Sequence, residues 1–154
     1  MNNPDRALVA QFLSSGRAPL AIASNPLARD LGGTLIELDG TRGEALVAFE
    51  PGAQHLQGAG VIQGGISATL LDFAMAFAGH AKLEACGTAA GLATATLTVQ
   101  FLSAAPPGRY LARGRIVRQG SRLMFAESSL SAAEDARLIA TATAVLALTE
   151  VPKR

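Results

Sequence analysis

The chain has 154 residues, 49% of them apolar and 16% charged, with 13 basic and 12 acidic side chains giving a formal net charge of +1. That length suits one domain with a substantial core, the composition excludes a disordered chain, and the charge balance leaves no footprint for nucleic acid or an anionic membrane. With no Trp and one Tyr, base-stacking platforms are scarce, and the single cysteine, Cys86, excludes an internal disulfide and points to a reducing, cytoplasmic setting.

In chain order, Met1 to Arg6 lack the basic-then-apolar order of a signal peptide, so no secretory leader is expected. Asp5 to Ser15 predicts a short amphipathic helix, because Leu8, Val9, Phe12 and Leu13 recur at helical spacing. Pro19 and Pro26 bracket an irregular link. Thr34 to Leu38 and Glu44 to Phe49 alternate as strands around a turn that begins at Asp39-Gly40. Pro51 to Gln63 carries three glycines and no clear period, and reads as a loop.

From Gly65 to Lys82 runs a helix of Ala, Leu, Met and Phe. It is apolar nearly all round and has to be enclosed. Its most apolar run, Ile66 to Ala81, contains Asp72 and falls short of the ~20 residues a membrane span needs. Leu92 to Leu102 then sets Thr94, Thr96, Thr98 and Gln100 against Ala93, Ala95, Leu97, Val99 and Phe101, as a strand does. Ser103 to Gly108, with Pro106-Pro107, is a break. Three further strands are expected at Arg109 to Arg118, Arg122 to Ser131 and Leu138 to Thr149, with turns at Gln119-Gly120-Ser121 and Glu134-Asp135. Short turns make these ladders antiparallel. The expectation is an α+β chain forming a single domain over 1–154. Residues 1–30 supply an N-terminal helix and linker, and 33–149 a core in which one antiparallel sheet wraps one long helix. One sheet cannot cover every side of such a helix, so a second copy related by two-fold symmetry is expected to cover the remainder.

Asp72 is the strongest chemical clue. It is the only Asp, Glu, Lys or Arg between Glu50 and Lys82, and it sits among Leu70, Leu71, Phe73, Met75 and Phe77. A lone carboxylate there is costly to bury unless it is paired or serves a site. A general base is one reading; an ordinary buried carboxylate bonded to backbone, or a solvated one at an interface gap, is the other. Gln63-Gly64-Gly65 precedes the same helix. Glycines allow close approach of a ligand to the backbone, and a helix start offers free N–H groups at the positive end of the dipole. Such donors can hold a developing oxyanion; a tight loop-to-helix turn is the plainer alternative. Gly64 and Asp72 are eight residues apart, roughly 12 Å along one helix. They cannot act on one atom within one chain, but a symmetric pair of antiparallel helices would bring Gly64 of one copy to Asp72 of the other.

The segment Gln57-Gly58-Ala59-Gly60-Val61-Ile62-Gln63-Gly64-Gly65, followed by Leu70-Leu71-Asp72, resembles the hotdog thioesterases of the phenylacetate-degradation and 4-hydroxybenzoyl-CoA type. Their pattern is Asn or Gln, then His-Gly-Gly, then a helix bearing Asp or Glu. Phe101 to Gly108 resembles the strand end and Pro-Gly turn of that family, and the likeness spans about Gly33 to Leu148. It implies a hotdog fold and an acyl-CoA thioesterase that hydrolyses a small aryl or medium-chain acyl-CoA to free acid and CoA. It implies a homodimer with shared active sites, assembled into a homotetramer. Coenzyme A enters only as part of the substrate, and no separate cofactor is expected. Carried over residue by residue, Asp72 attacks the thioester carbonyl or activates water, and the partner subunit's Gly64 N–H polarises that carbonyl. Gln57 orients water or bonds the thioester. Gln63 stands where the family has His, a departure, since an amide hydrogen-bonds but takes no proton at neutral pH.

Substrate contacts are expected from Gly65 and from His55 in the same loop. Phe73, with Met75 and Phe77, suggests an apolar acyl pocket. Arg118 and Arg122, in a cluster with Arg113 and Arg115, are candidates for the phosphates of coenzyme A. His80 reads as structural, and two isolated histidines argue against a metal site. An acyl-thioester hydratase or dehydratase is a competing reading, but Ser24-Asn25-Pro26 lacks the Asp and His such enzymes carry. A non-catalytic acyl-CoA binder is the other, prompted by Gln63.

Overall fold

Two helices near the start of the chain begin by the same device. In the computed structural model, which describes residues 3–150, the Asn3 side chain accepts the N–H groups of Asp5 and Arg6, opening α1 (Pro4–Ser15). The Asn25 side chain accepts those of Leu27 and Ala28, opening α2 (Pro26–Asp30). In both, proline supplies the first helical residue, where its missing N–H costs nothing. The outer limits of the expected 1–154 domain and the first two residues of the leader reading lie outside the described residues.

The remaining elements are β1 (Leu20–Ala21), β2 (Thr34–Asp39), β3 (Glu44–Phe49), α3 (Gly64–Ala85), β4 (Ala90–Phe101), β5 (Tyr110–Gln119), β6 (Leu123–Ala132) and β7 (Leu138–Glu150). All seven strands form one antiparallel sheet in the order β1-β2-β3-β5-β6-β7-β4. The long helix α3 packs on one face of it, which is the α+β hotdog arrangement expected.

Two expectations need correction. The stretch between Pro19 and Pro26, read as irregular, contains β1 and leads into α2; two-residue and five-residue elements are too short to show a period. The long helix starts one residue earlier and ends three later than Gly65–Lys82, because Leu83, Glu84 and Ala85 are good helix formers and Gly87, at φ 63°, provides the exit. As expected of a helix that one sheet cannot enclose, α3 keeps one side uncovered. Its sheet side is buried, but Gly65 is exposed and Thr69, Asp72 and Ala76 are half-buried, a stripe at helical spacing along the opposite side.

Helix and sheet meet at backbone distance. A Cβ placed on Gly114 of β5 would lie 2.7 Å from the Met75 nitrogen and closer still to the Ala74 carbonyl, so only glycine lets the middle of α3 seat on the sheet. Strand β4 does not pair with β5, which follows it. It pairs with β7 and ends the sheet, its exit held by Ile139 O, which accepts from Leu102 N and Ser103 N. Among the described residues the other edge of β4 has no strand partner. Among the described residues no helix is long and apolar enough to cross a membrane.

Candidate active site

The loop before α3 is a small closed structure. Leu56 bridges Ile62, Gln57 N donates to Val61 O at 2.8 Å, and Ile62 N donates to Ala105 O at 2.7 Å. Gln57 is exposed near its tip, where its own Oε1 accepts the Ala59 N–H at 2.6 Å. The loop delivers Gln63 as the residue that opens α3. Its carbonyl accepts from Ile66 N at 2.9 Å and Ser67 N at 3.1 Å, and its exposed side chain makes no capping bond. The next two N–H groups, of Gly64 and Gly65, have no acceptor among the described residues. They project from the positive end of a 22-residue helix. The ring of Phe101, 57% exposed, lies beside them, with Cζ 3.4 Å from where a Cβ of Gly64 would stand.

Two turns along α3, Asp72 is half-buried on the open stripe, and the Thr94 hydroxyl of β4 donates to its Oδ1 at 2.8 Å. Sequence alternation had grouped Thr94 with Thr96, Thr98 and Gln100. A bulge between Thr94 and Thr96 puts Ala95 out of register. Parity flips there: Thr94 pairs with buried Leu146 on the helix side, while Thr98 and Gln100 pair with Thr143 and Thr141 on the far face. Thr94 is therefore a site residue that alternation alone hides.

Phe73, also half-buried, faces Phe49 with ring centroids at 5.9 Å and Phe77 at 6.3 Å, an aromatic stack running from the open side of α3 into the core. Gln63, Gly64 and Gly65 are thus brought together, Gln57 stands in the loop behind them, and Asp72 with Phe73 forms a second group two turns away.

The arginines divide. Arg113 pairs with Glu37 at 3.4 Å and Arg115 with Glu127 at 2.5 Å, whereas Arg118 and Arg122 are exposed with no ion pair among the described residues. Arg122 lies at the sheet end where β4 begins, its carbonyl accepting from Leu148 N, opposite the Phe101 end that flanks Gly64. A cleft of about 560 Å³ on the outer face of the sheet is lined by Arg42, Glu44, Arg113, Arg115 and Glu127. Its arginines are all paired with glutamates, and neither a free helix end nor Asp72 opens into it, so the geometry of the helix start carries the chemistry instead.

The two histidines sit apart from the open stripe. His55 is buried, and both ring nitrogens are engaged inside the protein, with Gly52 N at 3.0 Å and Asp30 Oδ2 at 2.8 Å, so it has no free ring nitrogen to offer a ligand. His80 is buried on α3, and its Nδ1 has no partner among the described residues. Burial pushes its pKa down from 6.5 to about 4; Asp5 opposes this and Arg6 adds to it. A base whose folded pKa is depressed is disfavoured in its protonated form, so its stabilising contribution is complete above pH 6.5 and is lost as pH falls toward 4. Urea midpoints at pH 7 and pH 4.5 check this. The wild type should lose about 2–3 kcal/mol more than His80→Leu over that interval, and equal losses would refute it. Among the described residues no group of His, Cys, Asp and Glu could hold a metal ion.

A family model described as "Thioesterase superfamily" matches residues 59–144. A phenylacetic-acid-degradation-related protein of Ralstonia eutropha is 28% identical with a TM-score of 0.76, over 90% of this chain and 98% of that one. A thioesterase family protein of Silicibacter pomeroyi is 26% identical with a TM-score of 0.75, over 93% of this chain and 99% of that one. The PaaI protein of the Escherichia coli phenylacetic acid degradation operon shares the fold, at 19% identity and a TM-score of 0.75 over 95% and 94%. A search of curated proteins finds no match.

Proposed function

This chain belongs to the thioesterase superfamily, and from that premise we propose that it hydrolyses the thioester of a small aryl or medium-chain acyl-CoA, with Asp72 as the central catalytic residue. The observation that carries the reading is the pairing of two features: unsatisfied Gly64 and Gly65 N–H groups at the start of α3, and a carboxylate held by Thr94 on the open stripe. The first stabilises negative charge on a carbonyl oxygen, and the second delivers a base or a nucleophile.

Within one chain these features are two turns apart. The free edge of β4 and the open stripe of α3 lie side by side, which favours a two-fold pair in which β4 strands extend one another and the α3 helices run antiparallel. Each site then joins Gly64 of one protomer to the partner's Asp72. The family resemblance adds a tetramer of two such pairs. As general base, Asp72 takes a proton from water, the hydroxide oxygen bonds to the carbonyl carbon, and the oxyanion is held by the Gly64 N–H. Collapse breaks the C–S bond, and the departing CoA thiolate takes up a proton, leaving free acid and CoA. As nucleophile, Asp72 attacks the carbonyl carbon, the C–S bond breaks and the CoA thiolate leaves to take up a proton, and water then opens the mixed anhydride to free acid and the Asp72 carboxylate. Oδ1 is occupied by Thr94, so Oδ2 is the atom available for either step.

The Phe49–Phe73–Phe77 stack supports an apolar acyl pocket, and Arg118 and Arg122 are proposed for the CoA phosphates. Gln63 donates and accepts where the family has His, positioning the thioester without proton transfer. Thiol release from a panel of aryl- and alkyl-acyl-CoAs tests the activity. Turnover with a preference for rings or medium chains supports it, a flat profile removes the proposed pocket, and tight binding without turnover makes the protein an acyl-CoA binder, the alternative that the Gln63 departure prompts. Thr94→Val should lower kcat about tenfold with KM little changed, the effect of losing one hydrogen bond to a charged group, and Thr94→Ser should restore most of it. Steady-state kinetics on the two variants decide.

A further inference from the structure

We infer that Asp30 and His55 form a latch that aims the Gly64 N–H, which makes both of them positioning residues for thioester hydrolysis; the inference rests on the role given to Gly64 above. His55 belongs to the surface loop before α3, yet it is only 7% exposed. Its Nδ1 accepts the Gly52 N–H at 3.0 Å. A backbone N–H can only donate, so the ring proton lies on Nε2, which donates to Asp30 Oδ2 at 2.8 Å. The ring thereby ties the loop to the last residue of α2, twenty-five positions earlier in the chain.

The backbone of the same residue reaches the helix start. The His55 carbonyl accepts the Gln63 N–H at 2.9 Å, while the Gln63 carbonyl is held by Ile66 N and Ser67 N. Residue Gln63 is thus gripped on both sides, by its N–H and by its carbonyl, and the N–H that follows it, that of Gly64, is the first with no acceptor among the described residues. An oxyanion donor works only when aimed within a fraction of an ångström of where charge develops. One grip belongs to the helix itself. The other depends on where His55 sits, and the imidazole is fixed by Asp30. Substrate has no free nitrogen of His55 to bind, which separates this role from that of a ligand residue. The short helix α2 is by this argument a part of the catalytic architecture.

The test uses full-length protein with Asp72→Asn, so that bound thioester is not consumed, and 4-methoxycinnamoyl-CoA as probe. Polarising the conjugated carbonyl moves its absorption band to longer wavelength. The Asp72→Asn protein is expected to shift the bound probe. Adding Asp30→Ala should remove most of that shift with the dissociation constant changed less than about threefold, and Asp30→Asn, whose side-chain oxygen still accepts from Nε2, should retain it. In the otherwise wild-type protein Asp30→Ala should lower kcat about tenfold or more, with Gln54→Ala, which removes only the 3.3 Å bond to Asp30 Oδ1, near wild type. A full shift and full kcat in Asp30→Ala overturn the latch while leaving the role of Gly64 intact. A bound probe unshifted in Asp72→Asn itself overturns the role of Gly64, and the latch with it.

Discussion

Replacing Asp72 with Asn is expected to lower thiol release from acyl-CoA at least about a hundredfold, the scale of a lost general base, with the fold unchanged. Asn preserves the shape and still offers Oδ1 to the Thr94 hydroxyl, which donates to that atom at 2.8 Å. What it removes is the negative charge and the basicity of Oδ2. Acyl-CoA affinity should survive, because the carboxylate contributes little to holding an anionic cofactor portion. Steady-state kinetics and a thermal melt on the purified variant decide the matter. A loss of turnover at unchanged melting temperature supports the assignment, and turnover within a few-fold of wild type would remove Asp72 from the mechanism.

The second large effect is expected from Gly64→Pro. Proline has no N–H, so it deletes the donor proposed to hold the oxyanion. At this position it does so with little harm to the helix. Gly64 is the first residue of α3, where proline is well tolerated. Gln63 before it has φ −58° and ψ 136°, in the range a residue preceding proline adopts. The added Cβ would meet only the Phe101 ring, at 3.4 Å, ordinary contact distance. Loss of one oxyanion donor costs roughly 10² to 10³ in kcat. Gly64→Ala, which keeps the N–H, should remain near wild type, and that contrast separates the hydrogen bond from the shape of the turn. If proline and alanine behave alike, the helix start is not the oxyanion site.

Much of this was legible from residues alone, for physical reasons. Helix α3 announced itself through composition, and Asp72 through being the only charged residue between Glu50 and Lys82. The ends of β2, β3, β5, β6 and β7 fell within one or two residues of the expected places, because turn chemistry brackets them. The position of β4 beside β7 was not legible, since the Pro106-Pro107 connection can lead to either neighbour. Nor was the Ala95 bulge, which is one residue long and leaves no period of its own, yet it decides that Thr94 and not Thr96 faces Asp72. His55 shows the same limit from another side. Its place in the glycine-rich loop suggested a substrate contact, while its partner Asp30 lies twenty-five residues away, beyond the reach of any local pattern.

The separation of Gly64 from Asp72 along α3 has a genetic consequence. If each working centre takes its oxyanion donor from one protomer and its carboxylate from the other, two inactive alleles can rescue one another. A chain bearing Asp72→Asn and a chain bearing Gly64→Pro each keep about a hundredth or less of the activity as pure assemblies. A mixed pair contains one centre in which both lesions fall together and one in which neither does. Co-expression of the two inactive chains should therefore return measurable thiol release, whereas two alleles both altered at Asp72 never would. A protein of this design would show dominance and complementation patterns usually read as two genes.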